Sequence, residues 1–462
     1  MSKLNETDIQ GFVLRGYNLP YARYVFLHFT DAKKATALIG QLLPLITTGQ
    51  RWDGGKPAST LNIAFTHPGL VTLELPDATL YSFPPEFQQG MRDRAEILGD
   101  TELNAPERWD DVWQGDAIHA WLGINGQSPE AVEASFAQIA ALIEETGGAS
   151  VVGAQDAASE QLNGNPTARE HFGYTDGFGN PDYVGVERSS QPGQGKLLED
   201  GKTWARLATG ELLLGYADEA GELPVAPVPH ILASNGTFMV YRKLHQNVAT
   251  FQAYLDAQGS LYGGGAEKLK AKFIGRWSDG TPLELSPDVP DQSLVLDPKR
   301  STNFTYGADA EGTRCPVGAH IRRVHPRDAF GFEGRLINRR RITRRGLPYG
   351  PFVSEGAPVS DEEDRGVIFM ALNANISRQF EFVQQQWIEY GNEAHQGNAK
   401  DLLMGNHGGR GKFVVQGDRS AANPPFVCSG LPNFVELRGG AYFFLPSITA
   451  LAMIAMGLVD PR

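Results

Sequence analysis

The chain repeats one local pattern four times, in which a short apolar strand runs directly into an amphipathic helix. Each unit changes from a strand-like apolar run to apolar residues spaced three and four apart, which marks a strand followed by a helix. Thr30 or Asp31 in the first unit and Ser128 before Pro129 in the second are typical helix starts. The units are 24-YVFLHFTDAKKATALIGQLLPLI-46, 117-AIHAWLGINGQSPEAVEASFAQIAALIEE-145, 237-TFMVYRKLHQNVATFQAYLDAQ-258 and 366-GVIFMALNANISRQFEFVQQQWIEYG-391.

A further strand-like segment, 61-LNIAFTHPGLVTL-73, lies between the first two units and leads into a short helix. Two strand–helix pairs in each half match the ferredoxin-like split βαβ unit. We therefore predict an α+β protein with a duplicated ferredoxin-like fold, in which helices pack on two antiparallel sheets. The predicted first domain covers residues 1–185, the connection covers 186–230, which is rich in glycine and charge, and the second domain covers 231–462.

Length and composition exclude several classes of protein. A chain of 462 residues fits two compact domains or one large duplicated one. Its net charge of -13 argues against non-specific binding of nucleic acid, and its two cysteines form neither a disulfide framework nor a CxxC zinc motif. Residues 440–459 are apolar enough to span a bilayer, but Pro446 interrupts them and favours a strand followed by a buried helix. Without a secretory signal pattern at the N-terminus, we expect a cytoplasmic protein that binds no membrane.

The stretch 170-EHFGYTDGFGNPDY-183 places Asp176 among glycines and aromatic rings. Its glycines and Asn-Pro pair are typical of a surface turn. A calcium-binding loop is another alternative, since its ligand positions would be occupied by Asp176, Asn180, Asp182 and Glu187. Phe178 and Pro181 break that pattern. The aromatic residues argue against a solvated turn and leave a buried acid–base group as an alternative; they are Phe172, Tyr174, Phe178 and Tyr183.

Two further stretches carry candidate chemistry. In 314-RCPVGAHIRRVHPRDAF-330, His320 stands among small and apolar residues. This environment is compatible with a histidine packed in the core and with an axial haem ligand. His325 follows five residues later, without a third ligand at zinc-like spacing. In 335-RLINRRRITRRGLPYG-350, six arginines alternate with apolar residues, so some guanidinium groups must face inward. Buried arginines need anions such as haem carboxylates, phosphates or an oxyanion.

The combination of one acid, one histidine and buried arginines suits a haem peroxidase better than a hydrolase. The chain has no GxSxG elbow, HExxH motif, P-loop or Cys-His nucleophile motif. In a peroxidase pocket a histidine binds iron, an acid moves a proton and an arginine stabilises charge.

The three stretches resemble the dye-decolourising peroxidase family. The segment 173-GYTDG-177 is similar to the family's GxxDG motif, 315-CPVGAHIR-322 to its proximal-histidine segment and 344-RRGLPYG-350 to its distal-arginine segment. The similarity covers nearly the whole chain in order, and the length resembles that of the larger, intracellular members without a signal peptide. It also runs through 11-GFVLRGYNLPYARYVFLHF-29, 273-FIGRWSDGTPL-283, 379-QFEFVQQQW-387 and 443-FFLPS-447.

The resemblance implies a role for each matching residue. His320 would be the proximal iron ligand, and Glu381 the acid that accepts a hydrogen bond from its ring. Asp176 would be the distal acid–base, and Arg344 would stabilise charge at the O–O bond, with Arg341 and Arg345 as alternatives. His325 stands where the family pattern has a different residue. The further residues expected to contact the cofactor are Gly177, Phe178, Gly179, Arg322 and Arg341.

The resemblance also implies a cofactor and partners: one haem b per chain, hydrogen peroxide as oxidant and small aromatic reductants. Tyr349, Trp387 and Trp277 are candidates for relaying electrons to bulky dyes, although core or rim packing is the favoured explanation for any single one of them. A haem carrier or a haem-processing enzyme that removes iron would use the same pocket and is the alternative function. The sequence leaves the oligomeric state open.

Overall fold

The first repeat forms where the sequence predicts it. The computed structural model describes residues 3–187, 190–330, 334–353, 356–417 and 424–460. Asp31 caps the first helix by accepting a hydrogen bond from the Lys34 backbone, and Ser128 caps the second by accepting one from Ala131. The elements are β1 (Tyr21–Phe29), α1 (Ala32–Leu42), β2 (Ser59–Phe65), β3 (Ala120–Gly126), α2 (Pro129–Thr146) and β4 (Ala149–Ala158).

The second repeat follows the same plan with longer connections. Its second strand is broken into two short pieces that both pair with the third strand. The elements are β5 (Thr237–Gln246), α3 (Val248–Leu261), α4 (Gly265–Ile274), α5 (His320–Val324), β6 (Thr343–Arg345), β7 (Pro348–Tyr349), β8 (Gly366–Asn373), β9 (Val435–Leu445) and α6 (Ile448–Ala455).

Strand order confirms the predicted fold class. The first repeat is ordered β4-β1-β3-β2 and the second β9-β5-β8-β6, and every pairing between neighbours is antiparallel. Numbered within its own repeat, each sheet therefore has the order 4-1-3-2, with the first and third strands in the centre. This is the order of a ferredoxin-like sheet.

The two sheets join through one edge and one aromatic core. Phe65 of β2 pairs with Phe444 of β9, so the sheets are continuous rather than separate. Tyr24 of β1 lies 6.1 Å from Tyr241 of β5, ring centre to ring centre, and neither ring is exposed. Phe26 lies 5.6 Å from the same Tyr241 ring. Burial of these large rings ties the two repeats into one hydrophobic core.

The fourth predicted helix has an unexpected geometry. The segments Ser377–Glu381 and Val383–Ile388 are π-helical. The Glu381 amide donates to the Ile376 carbonyl at 2.9 Å, five residues back rather than four. The side chains along this segment therefore do not follow the 3.6-residue period from which the sequence prediction was made.

The remaining described elements are short and connect the repeats. The C-terminal apolar run forms β9 and α6, with Ser447 as the helix cap, and in the part of the chain that the structure describes no helix could cross a bilayer. The domain boundaries at 185 and 230 stay a prediction. The short helices and turns are Gly11–Leu14, Leu43–Leu45, His67–Thr72, Asp77–Leu80, Pro85–Asp93, Ala95–Leu98, Glu102–Asn104, Pro106–Arg108, Asp111–Trp113, Thr209–Glu211, His230–Ala233, Gln292–Val295, Gly307–Asp309, Arg335–Asn338 and Asn392–Ala394. The short strand pairs are Gln161–Leu162 with Asn165–Pro166, Lys196–Leu197 with Trp204–Ala205, and Gly411–Val415 with Phe426–Leu431.

Candidate active site

All three motifs singled out in the sequence line one cavity. Asp176 comes from the loop after the first repeat, His320 from the start of α5, and Arg344 from β6. The cavity has a volume of about 310 Å³, and most of its wall is apolar. The apolar and aromatic residues of that wall include Phe172, Tyr174, Phe178, Ile274, Phe304, Ile342, Phe369, Phe380 and Val383. An apolar cavity with a few converging polar groups is the usual form of a cofactor site.

Asp176 and Arg344 form an ion pair at the cavity wall. Arg344 Nη1 donates to both carboxylate oxygens of Asp176, at 2.8 and 3.1 Å, and its Nη2 donates to the Phe178 carbonyl at 2.9 Å. Although many protein atoms surround the Asp176 side chain, 58% of its surface stays accessible because it faces the cavity. Desolvation alone would raise the pKa of Asp176, but Arg344, the Gly177 amide and His320 together hold that pKa below its ordinary value. The carboxylate is therefore ionised at neutral pH.

The loop that carries Asp176 is fixed to β6 by Asn180. The Asn180 side-chain oxygen accepts a hydrogen bond from the Arg344 backbone at 2.9 Å, and its amide nitrogen lies 3.4 Å from the Arg344 carbonyl. The Asp176 amide donates to the Ala168 carbonyl at 2.8 Å. Gly177 and Gly179 have φ angles of 97° and 78°, a conformation that favours glycine. Asn180, which the sequence suggested only as a calcium ligand, positions the arginine, and no group of metal-ligating residues occurs in the described part of the chain.

His320 is held by a carboxylate that the sequence analysis missed. Its Nδ1 lies 3.0 Å from both carboxylate oxygens of Asp401. Because an ionised carboxylate can only accept, the Nδ1 of a neutral His320 carries the proton and Nε2 keeps its lone pair. Burial would raise the pKa of Asp401, but the His320 ring, Arg323 and the Met404 amide lower it to about 2. This arrangement suits a metal-ligating histidine, whose ring orientation and basicity a carboxylate commonly sets.

Asp401 lies in an irregular segment that follows the π-helical region. Its Oδ1 also accepts hydrogen bonds from the backbones of Leu403 and Met404, at 3.1 and 2.9 Å, and its side chain is fully buried. The surrounding KDLLM sequence has no spacing to His320 that could have identified the pair. The only available signal was a lone acid at the start of an apolar run.

The prediction that Glu381 accepts a hydrogen bond from His320 is wrong. The Glu381 carboxylate receives two hydrogen bonds from Arg94, at 2.5 and 2.6 Å, and one from the Tyr442 hydroxyl at 2.8 Å. These contacts link the π-helical segment to the first repeat and to β9. Glu381 therefore stabilises the packing between the two repeats and leaves His320 to Asp401.

Arg322 is occupied by protein partners, and its predicted contact with a cofactor stays a prediction. Its guanidinium group donates to Asp309 at 3.2 Å and to the Cys315 carbonyl at 2.7 Å, and it lies 4.5 Å above the Tyr306 ring. Arg322 is not among the residues of the described cavity wall. Gly177 is likewise absent from that wall, whereas Phe178, Gly179 and Arg341 are all part of it.

Part of the cavity wall carries positive charge that forms no ion pair with the acidic residues described in the structure. Arg276, Arg327 and Arg341 line the cavity, and none of them forms an ion pair within the described residues. Arg341 donates to the carbonyls of Gly195 and Gly179, at 3.3 and 3.0 Å. Burial, reinforced by Arg327, lowers the pKa of Arg341 to about 9. Uncompensated guanidinium groups in an apolar wall favour a carboxylate-bearing or other anionic ligand.

The three residues suggested as electron relays are buried and lie outside the described cavity wall. Trp277 donates from its indole to the Ser286 carbonyl at 2.9 Å, and Trp387 donates to Glu393 at 2.7 Å. The Tyr349 ring packs under Lys243, whose Nζ is 4.9 Å from the ring centre. These contacts are those of residues that pack in the protein interior. A role of the three side chains in electron transfer stays a prediction.

Comparison with known proteins places the chain in one family. A family model described as the DyP dimeric alpha+beta barrel domain matches residues 8–155. The chain is 30% identical to the dye-decolorizing peroxidase msp1 of Mycetinis scorodonius over 98% of its length and 88% of that protein. It is 28% identical to the multifunctional dye peroxidase DyP2 of an Amycolatopsis strain over 96% of its length and 94% of that protein.

Solved structures give the same result. An ancestral D-type dye-decolorizing peroxidase matches with a TM-score of 0.82 at 30% identity, over 98% of this chain and 99% of that one. A dye-decolorizing peroxidase in complex with 2,6-dimethoxyphenol matches with a TM-score of 0.80 at 28% identity, over 98% of this chain and 100% of that one. The duplicated fold and the cavity between its motifs thus define an oxidoreductase of the peroxidase class. The chain belongs to the dye-decolorizing peroxidase family, and the predicted family and fold class are confirmed.

Proposed function

We propose that the chain binds one haem b in this cavity and uses it to oxidise small aromatic compounds with hydrogen peroxide. The observation that carries the proposal is the pairing of His320 with Asp401 in the same cavity as the Asp176–Arg344 ion pair. A haem carrier needs only the His320–Asp401 pair, whose histidine would bind the iron. The Asp176–Arg344 pair has the chemistry to act on peroxide.

The residues present fit a haem group. The His320 Nε2 has no hydrogen-bond partner within the described residues and belongs to the cavity wall, so it is available to bind iron. Arg327 and Arg341 would hold the haem carboxylates, because both guanidinium groups are buried and neither forms an ion pair within the described residues. The apolar residues of the wall suit a porphyrin ring. The chain has no C-x-x-C-H attachment motif, which favours non-covalent haem b.

The bound haem would supply the electrons that split the O–O bond. Asp176, ionised beside Arg344, takes a proton from one oxygen of hydrogen peroxide and delivers it to the other, so that the second oxygen leaves as water. Arg344 donates hydrogen bonds to the polarised peroxide and stabilises the negative charge that develops on it. Asp401 keeps the His320 ring oriented and electron-rich throughout.

A haem-processing function, such as removal of iron from haem, is the second candidate because it would use the same cavity. The Asp176–Arg344 pair favours the peroxidase, since iron removal does not require an acid–base group beside an arginine. Aromatic reductants are proposed because a relative is known in complex with 2,6-dimethoxyphenol. The cytoplasmic location stays a prediction.

Purified protein supplied with haem tests the proposal. We expect a Soret band, and peroxide-dependent oxidation of 2,6-dimethoxyphenol without release of iron from the haem. The His320→Ala variant should lose the histidine-ligated spectrum and the activity, whereas His230→Asn, at an exposed position, should retain both. Iron-free porphyrin as the product would support the haem-processing function, and a histidine-ligated spectrum in His320→Ala would contradict the assignment of the ligand.

A further inference from the structure

His325 belongs to the cavity wall although neither the ligand site nor the acid–base pair uses it. It ends α5, five residues after His320, and its ring has no hydrogen-bond partner within the described residues. Three buried histidines differ from it in this respect: one ring nitrogen of His171, of His245 and of His407 contacts a backbone carbonyl. A cavity-facing ring with no protein partner is free to bind a ligand.

The surroundings of His325 determine what kind of ligand it can bind. Burial and then three positively charged neighbours, Arg341, Arg327 and Arg344, lower the pKa of His325 well below its ordinary value. The ring is therefore neutral at physiological pH and presents one N–H donor and one acceptor nitrogen. Beside guanidinium groups, which can only donate, a shared ligand must accept hydrogen bonds. A carboxylate can accept from the imidazole and from the arginines at once.

We propose that His325 binds a carboxylate of the porphyrin, together with Arg327 and Arg341, and thereby controls how long haem is retained. The inference rests on the proposed function, because it takes haem to be the ligand of the cavity. It assigns a binding role to a residue outside both the iron-ligand pair and the acid–base pair. It also fixes the orientation of the porphyrin, whose acidic edge would face the end of the cavity formed by these three residues.

The rate of haem loss tests the assignment without relying on catalysis. Wild type, His325→Leu and His325→Gln would be loaded with haem and mixed with excess apomyoglobin, and the transfer of haem would be followed by absorbance. The same series would be loaded with the haem dimethyl ester, in which both carboxylates are blocked. His325→Leu removes the donor at similar volume, and His325→Gln keeps an amide donor. His230→Asn serves as the control for an exposed histidine.

We expect His325→Leu to release haem about tenfold faster than wild type or more, because a hydrogen bond to a charged group is lost. His325→Gln should fall between the two. With the dimethyl ester, all variants should release the porphyrin at the same rate as wild type. Equal acceleration with haem and with its ester would show that the ring only fills space and would overturn the proposal, as would an unchanged rate with haem. Wild type that binds no haem would overturn the proposed function itself, and that result is visible before any variant is compared.

Discussion

Asp401 holds the ring of His320 through both carboxylate oxygens, each 3.0 Å from Nδ1. The contact joins the first residue of α5 to an irregular segment 81 residues further along the chain. Because Asp401 is also fixed by two backbone amides, it cannot turn away from the ring. The orientation of the histidine is thus built into the fold before any ligand binds.

Replacing Asp401 by Asn should weaken iron ligation while keeping the shape of the site. The amide can accept a hydrogen bond from Nδ1, but it carries no charge to raise the basicity of the ring. We expect haem affinity or peroxidase activity to fall about 10–100-fold, and the reduction potential of the bound iron to rise. Equilibrium haem titration and spectroelectrochemistry measure the two effects. Glu381→Gln is the matched control, and a larger effect from it than from Asp401→Asn would contradict the assignment.

The contact between Asp401 and His320 should stabilise the haem-free protein in a pH-dependent way. The pKa of Asp401 falls from an ordinary value of 3.8 to about 2 on folding, so its contribution is present above pH 3.8 and is lost as pH falls through 2. A shift of this size corresponds to about 2 kcal/mol at neutral pH. Urea unfolding of wild type and Asp401→Asn should show that difference at pH 6, and a smaller one at pH 3. A difference independent of pH would argue against an Asp401 carboxylate stabilised by these contacts in the folded state.

Removing the Asn180 side chain should slow the reaction with peroxide. Asn180→Ala leaves the Arg344 backbone without its partner, so the guanidinium group loses its fixed position beside Asp176. We expect the rate constant for reaction with peroxide to fall by about fivefold, the effect of raising the activation free energy by about 1 kcal/mol. The KM for the phenol should not change. Asn180→Asp keeps the acceptor for the Arg344 amide and should recover most of the rate; no recovery would indicate a purely structural role.

Glu284 should make the protein less stable as pH rises. Its side chain is only 4% exposed, and burial followed by the nearby charge of Asp309 raises its pKa to about 7. A carboxyl group whose folded pKa lies above its unfolded value of 4.5 favours the folded state when protonated, and this stability is lost between pH 4.5 and 7. Glu284→Gln should therefore raise the Tm at pH 8 and leave it unchanged at pH 4. The exposed Glu145→Gln variant should have no effect at either pH.

The sequence predicted what depends on local patterns. Strands, helices and caps such as Asp31 and Ser128 follow from periodicity and residue type, and the loop around Asp176 stood out because aromatic rings are rare in solvated turns. The partners of these residues could not be predicted in the same way. Asp401 and Asn180 act on residues 81 and 164 positions away, and nothing in their own neighbourhoods indicates those contacts.

Glu381 illustrates the opposite error. It lies in a segment that resembles the family's, and its predicted contact with His320 came from that resemblance alone. The segment is π-helical, so its side chains follow a wider turn, and Arg94 from the first repeat binds the carboxylate. Arg94 is 287 residues away, a contact that only the folded chain establishes.

The rate at which the haem-loaded protein reacts with one equivalent of hydrogen peroxide is the most direct test of the account. Stopped-flow absorbance would compare wild type with Asp176→Asn, which keeps the side-chain shape but cannot act as a base at neutral pH. We expect the rate constant to fall by at least about 100-fold, the usual effect of removing a general acid–base group. A similar loss is expected for Arg344→Leu, while the Soret band of each resting variant stays intact. Reaction of Asp176→Asn at the wild-type rate would contradict the central claim that this carboxylate moves the proton.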